Sequence, residues 1–133
     1  MESLDIALIG CGGIANSHIE GYRELYSHRL RILRIKAVCD ISKRRAERAR
    51  YKISEFQSSS PEAYMDIEDL LRHESLDAVD ICLPHNLHHK IAIRCLEEDL
   101  HIIIEKPLGI TMRAAKLIIN CAEKRGKTLA VAE

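Results

Sequence analysis

Charge of one sign is missing from this 133-residue chain. Its 20 basic and 20 acidic residues leave a formal net charge of zero, so no overall field draws it to nucleic acid or to a membrane surface. Paired cysteines are missing as well. Cys11, Cys39, Cys82, Cys95 and Cys121 are scattered, odd in number and form no C-x-x-C, which argues against a disulfide framework and for reduced thiols in a cytoplasmic protein. No apolar run approaches the roughly 20 residues of a membrane span, and Met1-Glu2-Ser3 lacks the basic start of a signal peptide. Low complexity is confined to Ser58-Ser59-Ser60-Pro61, too short to link two domains. With 47% hydrophobic residues, a chain of this length has material for one domain with a sizeable core.

Against this plain background one stretch stands out. Leu4-Asp5-Ile6-Ala7-Leu8-Ile9 is an apolar run of strand length that breaks into Gly10-Cys11-Gly12-Gly13-Ile14-Ala15, after which a helical pattern begins. A strand, a glycine turn and a helix N-terminus, in that order, are what a dinucleotide diphosphate requires. Gly10 suits the tight turn, Gly12 lets the anion approach without meeting a Cβ, and Ala15 is small enough for close helix–strand packing. The free N–H groups and dipole of the helix then face the anion.

Periodicity organises the rest. Ile19, Tyr22 and Tyr26 place a first helix up to about Tyr26, and a strand over Ile35–Cys39 ends at Asp40. Ser42 caps a helix to about Lys52 with Ala46, Ala49 and Ile53 inward. Asp66 caps a short helix bearing Ile67, Leu70 and Leu71. Strands at Ala78–Leu83, His101–Ile104 and Thr128–Ala132 alternate with helices at Leu87–Glu98 and from Thr111 to Gly126. The near-continuous apolar run at 101–104 reads as a strand covered on both sides. The basic run from Arg29 to Lys52 has no interleaved aromatics for base stacking, so it reads as a solvated face, with the acidic stretch 62–80 as its counterpart. The expected architecture is an α/β, doubly wound parallel sheet of the Rossmann type, in a single domain. Ligands in such sheets bind beyond the carboxyl ends of the strands, and the unusual residues of this chain fall there.

Asp40 ends its strand where a carboxylate would accept both ribose hydroxyls of an adenosine and repel a 2′-phosphate, favouring NAD over NADP. It could equally cap the turn that follows, and nearby Lys43 and Arg44 leave NADP open. Pro84-His85-Asn86-Leu87-His88-His89 has a spacing that invites a metal, but no carboxylate or cysteine stands at ligand spacing beside it, so no metal is assigned. His85 is expected along the cofactor's path, and His88 to pack or hydrogen-bond at the helix start. Lys106 lies between Glu105 and Pro107; the proline biases it to an extended conformation. Its ammonium either polarises a substrate oxygen or simply pairs with Glu105.

Taken together, Gly10–Ala15, Val38-Cys39-Asp40, Leu76–Val79, Leu83-Pro84 with His88, and above all Glu105-Lys106-Pro107-Leu108 resemble the glucose–fructose oxidoreductase / inositol dehydrogenase / rhizopine-catabolism (Gfo/Idh/MocA) family, over essentially the whole chain. The resemblance implies that residues 1–133 form an NAD(P)-binding Rossmann domain serving hydride transfer to or from a sugar, cyclitol or similar polyol. It implies a catalytic role for Lys106 and cofactor contacts for Gly10, Cys11, Gly12, Gly13, Ile14, Ala15, Asp40, Leu83, Pro84, His85, His88, Glu105, Lys106 and Pro107. Two departures concern residue 85, where the family usually has Asn, and Asp99-Leu100, which replaces a glycine-containing turn and is expected to need a left-handed residue. A third concerns length: the family continues into a substrate-binding domain that this chain is expected to lack, so it should bind dinucleotide without efficient turnover. An oligomer is compatible with this reading. The rival reading is a non-catalytic NAD-binding regulatory or sensing module paired with another chain. A methyltransferase using S-adenosylmethionine shares the glycine turn and the acid but gives Glu105-Lys106-Pro107 no role.

Overall fold

Side chains of the first strand alternate between two faces of one sheet. In the computed structural model, which describes residues 3–30, 32–105 and 111–132, Ile6 and Leu8 of β1 (Leu4–Ile9) join Ala15, Ile19 and Tyr22 of α1 (Gly13–Ser27) and Ala46, Ala49 and Ile53 of α2 (Lys43–Ser54) in one buried cluster. Ala7 and Ile9 face the other way. They join the inward residues of α3 (Ile67–His73), α4 (His88–Glu97) and α5 (Met112–Arg125) in a second cluster. With β2 (Leu33–Cys39), β3 (Glu62–Tyr64), β4 (Ala78–Ile81), β5 (His101–Glu105) and β6 (Leu129–Ala132), the strands run in the order β3-β2-β1-β4-β5-β6, and every pairing is parallel. The order reverses between β1 and β4. This is the doubly wound fold read from the sequence, and its ligand crevice lies outside the carboxyl ends of those two strands.

The local punctuation is chemical. Ser42 Oγ accepts the Arg45 N–H at 3.3 Å, Asp66 Oδ1 that of Glu68 at 3.3 Å, and Thr111 Oγ1 that of Ala114 at 3.1 Å, so Ser42 and Asp66 cap their helices as expected and Thr111, expected to begin the last helix, caps it as well. Gly126 ends α5 at φ 63°, and Asp99 takes φ 60° after α4, the left-handed conformation anticipated at Asp99-Leu100. Its carboxylate is held by Arg125 Nη1 at 3.2 Å.

Four expectations need correction. The strand β3 was not anticipated: three residues with a polar first member carry no period, and its place is set by pairing with β2 at the sheet edge. The strand expected over 78–83 stops at Ile81, and a single 3₁₀ turn (His85–Leu87) precedes α4. In β5, Ile102 and Ile104 are buried but His101 and Ile103 only partly, because among the described residues α1 and α2 pack chiefly over β1, β2 and β4. The acidic stretch is the counterpart of the basic run only at Lys36, which meets Glu74 at 3.9 Å; among the described residues the ion pairs of α2 go elsewhere. Arg45 pairs with Asp40 and Arg50 with Glu47, while Glu68 pairs with Arg94 and Glu74 with Lys36. Exposed Lys43, Arg44 and Arg48 point to solvent, consistent with a solvated face.

A buried amide also closes the sheet. Gln57, 6% exposed, accepts the Ile35 N–H through Oε1 and donates through Nε2 to the Ile35 carbonyl, both at 2.9 Å. Its side chain thus pairs with β2 as a strand residue would, beyond the point where β3 begins.

Candidate functional site

The site begins with a turn that only glycine fits. Gly10 follows β1 at φ +90°, donating its N–H to Cys39 O at 2.8 Å, while the Cys82 N–H binds Ile9 O at 2.7 Å. The turn is therefore fastened to β2 on one side and β4 on the other. A Cβ at Gly10 would lie 2.6 Å from the Cys82 carbonyl oxygen, whereas one at Gly12 or Gly13 would meet nothing within 4 Å. The last two glycines therefore leave open space above the start of α1. Gly12 is the N-cap of α1 and offers no side chain to the first free N–H groups, and the first turn holds no acidic residue. The backbone is thus presented bare toward an anion.

Around this turn lies a cleft of ≈ 540 Å³, lined by Gly10–Ile14, by Asp40 and Ile41 just after β2 and Arg45 in the first turn of α2, and by Cys82, Leu83, Pro84 and Leu87 beyond β4. Predicted residues from three strand ends are thereby brought together. The others are placed differently. Ala15 is fully buried behind the turn, packing α1 onto the sheet as expected. His88 is also fully buried, and its Nε2–H donates to the Leu83 carbonyl at 2.8 Å; it supports the cleft wall from beneath. Glu105 stands across the sheet at the end of β5. Lys106 and Pro107 lie outside the described residues, as does the side chain of His85.

Asp40 is 7% exposed and already employed. Oδ2 accepts the Cys11 N–H at 2.8 Å, and Oδ1 accepts the Ser42 N–H at 2.8 Å and Arg45 Nε–H at 3.2 Å. Of the two readings offered for this residue, the geometry shows the carboxylate bracing the turn after β2, from where it also lines the cleft. Three of its roughly four acceptor positions are used, leaving capacity for a further hydroxyl. Cys11 is buried beneath the glycine turn; burial and the neighbouring Asp40 charge push its thiol up to about 12, so it stays protonated.

The sequence reading missed a second group, centred on Asp80 on the α1 side of the sheet. Asp80 has no exposed surface. Its Oδ2 accepts from Tyr22 Oη at 2.5 Å and His18 Nδ1 at 2.7 Å, and its Oδ1 from the Cys82 thiol at 3.7 Å. The other ring nitrogen of His18, Nε2, donates to Glu105 Oε1. Both partners of the imidazole are carboxylates that only accept, so the ring carries both protons. Its pKa is raised from 6.5 to about 9, chiefly by the Asp80 hydrogen bond against the opposing effect of burial, with Glu105 adding to the rise. Burial and then the Asp80 charge push the Tyr22 hydroxyl and the Cys82 thiol well above their ordinary ranges. The ligand atoms of His18, Asp80 and Cys82 lie within 4.8 Å of one another, close enough for a metal, but these groups already satisfy each other as a hydrogen-bonded cluster. One signal was available in the sequence: a lone aspartate inside Ala78-Val79-Asp80-Ile81 needs a buried partner.

Comparison with known proteins follows the same lines. A family model described as an oxidoreductase family with an NAD-binding Rossmann fold (GFO_IDH_MocA) matches residues 4–133. An inositol 2-dehydrogenase from Rubrobacter xylanophilus is 27% identical over 96% of the chain and 34% of its own length. An alpha-N-acetylgalactosaminidase from Shewanella oneidensis is 28% identical over 100% of the chain and 29% of its own length. Among solved structures, the WlbA dehydrogenase from Chromobacterium violaceum, in complex with NADH and UDP-GlcNAcA, superposes with a TM-score of 0.85 at 28% identity, covering 98% of this chain and 35% of that one. An oxidoreductase from Thermotoga maritima does so with a TM-score of 0.86 at 27% identity, covering 98% and 38%. The chain therefore spans about a third of the length of these proteins.

Proposed function

The chain belongs to the Gfo/Idh/MocA oxidoreductase family, whose NAD-binding Rossmann-fold model spans it, and we propose that it holds NAD in the cleft between the glycine turn and the ends of β2 and β4, for hydride exchange with a sugar, cyclitol or related polyol. The observation that carries this reading is the bare turn itself: Gly12 and Gly13 leave open space above an α1 start with no capping side chain. In this reading Gly10, Cys11, Gly12, Gly13 and Ile14 present backbone to the diphosphate, with Ala15 packing α1 close behind. Asp40 receives the adenosine ribose, Leu83 and Pro84 wall the path toward β5 with His85 beside them and His88 fixing Leu83, and Glu105, Lys106 and Pro107 complete the nicotinamide end. The bound nicotinamide supplies the hydride acceptor or donor. Lys106 is assigned to polarise and share the proton of the substrate oxygen. The names of the relatives support the substrate class, since inositol and N-acetylgalactosamine are both polyhydroxylated rings. The proteins so named are about three times as long as this chain, so turnover is assigned to a protein that also carries a substrate domain, and cofactor binding to this chain.

The preference for NAD rests on the Asp40 carboxylate, with the Arg45 guanidinium 3.2 Å away as its opponent. Titration with NADH and NADPH is expected to give at least about tenfold tighter binding of NADH, the equivalent of one unfavourable charge contact. Arg45→Ala, at a half-exposed side chain, should widen that gap by removing the cation available to a 2′-phosphate. Equal affinities would refute the preference, and no binding of either would refute the cofactor reading. In a protein that also contains the substrate domain, Lys106→Met is expected to lower kcat by about 10²-fold or more, as for loss of a general acid–base group. NADH affinity should move far less. An unchanged kcat would reduce Lys106 to a surface partner of Glu105.

A further inference from the structure

We propose that His18 is a positioning residue for the nicotinamide end of the cleft: by bridging Asp80 and Glu105, it fixes the carboxyl end of β5 against α1, the helix that starts at the glycine turn. The proposal rests on the cofactor reading above. Its geometry has a fixed end and an adjustable end. Asp80 has no exposed surface and is tied to Tyr22 at 2.5 Å as well as to His18 at 2.7 Å, so it cannot reorient. Glu105 is 19% exposed at its side chain, and among the described residues His18 is the only hydrogen-bond partner of its carboxylate. Among the described residues the orientation of Glu105 is therefore set by one imidazole, itself carried on the turn's own helix three residues after Ala15. No other described side chain joins the two ends of the cleft in this way.

The bridge needs both ring protons, because both partners only accept. A neutral ring keeps its bond to the buried Asp80 and turns a lone pair toward the Glu105 carboxylate, releasing it. The groups that face His18 are Asp80 and Cys82 from β4 and the segment after it, Glu105 from β5, and Tyr22 from its own helix. Two of these are carboxylates, and the other two are held protonated in the same range, so the ring is the group that changes charge as pH rises toward 9.

The test compares NADH with ADP-ribose, which fills the turn but lacks the nicotinamide. The 133-residue chain is titrated with each from pH 6.5 to 9.5, alongside His18→Gln and Glu105→Gln. For the unmodified chain, NADH affinity should fall about tenfold as His18 deprotonates with a midpoint near 9, the equivalent of one charge-assisted hydrogen bond, while ADP-ribose affinity stays level. His18→Gln should bind NADH about tenfold more weakly at pH 7, show no further loss with pH, and bind ADP-ribose as the unmodified chain does. Glu105→Gln leaves the Asp80 anchor intact; it too should lose the pH dependence, which keeps the test decisive should His18→Gln fail to fold. Either variant retaining the original NADH profile would overturn the proposal. So would a parallel loss of NADH and ADP-ribose, which would mark His18 as a purely structural residue. These results leave the cofactor reading standing, whereas failure of the unmodified chain to bind either ligand would end both.

Discussion

Gly10→Ala is expected to cost the fold about 2–5 kcal/mol and to remove NADH binding with it. Two penalties combine. An alanine at φ +90° is strained by about 1–2 kcal/mol, and its Cβ would sit 2.6 Å and 2.7 Å from the carbonyl oxygen and carbon of Cys82 and 3.1 Å from Leu83 N. Those are main-chain atoms that have no rotamer with which to yield. The turn cannot retreat either, since Gly10 N–H is bonded to β2 and Cys82 N–H to β1. Overpacking against such a wall typically costs a further 1–3 kcal/mol or so. Gly12→Ala is the informative contrast. Its Cβ would meet no atom within 4 Å and its φ of −84° suits alanine, so the fold should lose no more than about 1 kcal/mol, the cost of alanine in place of glycine at an N-cap. The new methyl would nevertheless occupy the open space above α1, and NADH affinity should fall. Urea denaturation and NADH titration of the two variants separate the roles. A stable Gly10→Ala chain, or a Gly12→Ala chain that binds NADH undiminished, would show that the turn is not shaped as described.

This contrast marks what the sequence could and could not reveal. Signals that act within a few residues were readable: a strand running into Gly10, the caps Ser42, Asp66 and Thr111, the left-handed Asp99, and the helix-ending Gly126. The alternation of strands and helices carried the sheet, because crossover handedness allows few other arrangements. Signals that require long-range partners were not readable. The short strand β3 exists because β2 has an open edge beside it. Asp40 looked like a choice between a ribose acceptor and a turn cap, and only the fold brings the Cys11 N–H, 29 residues away, onto the same carboxylate that lines the cleft. Asp80 lies 62 residues from His18 and 58 from Tyr22, and Glu105 lies 87 from His18. His18 carried no signal of its own in the sequence, and Glu105 entered only as part of the motif around Lys106. Their connection is a property of the folded sheet alone.

That connection also makes Asp80 the polar side chain whose loss should harm the fold most. Asp80→Ala removes the partner of a part-buried imidazolium and of a buried tyrosine hydroxyl at one stroke, and breaking an ionic pair with a buried member from one side costs about 3 kcal/mol. Asp80→Asn keeps the shape and can still accept from Tyr22, so it isolates the charge. The pH dependence gives the signature. His18 is raised from 6.5 to about 9 on folding, so the folded state binds its proton more tightly than the unfolded chain. The resulting stabilisation, about 3 kcal/mol in total, is fully present below pH 6.5 and disappears as pH rises through 9. Thiols and tyrosines with raised values act in the same direction, but only as their unfolded forms begin to ionise near 9.0 and 10.0. Between pH 6.5 and 8.0 the decline is therefore almost entirely that of His18, and urea denaturation of the unmodified chain should lose about 1.5 kcal/mol across it. In Asp80→Asn that slope should shrink to the part Glu105 sustains, and in His18→Gln it should vanish. A flat profile in the unmodified chain would mean that His18 is neutral at pH 7, that the bridge to Glu105 is not made, and that the buried carboxylate of Asp80 is balanced some other way.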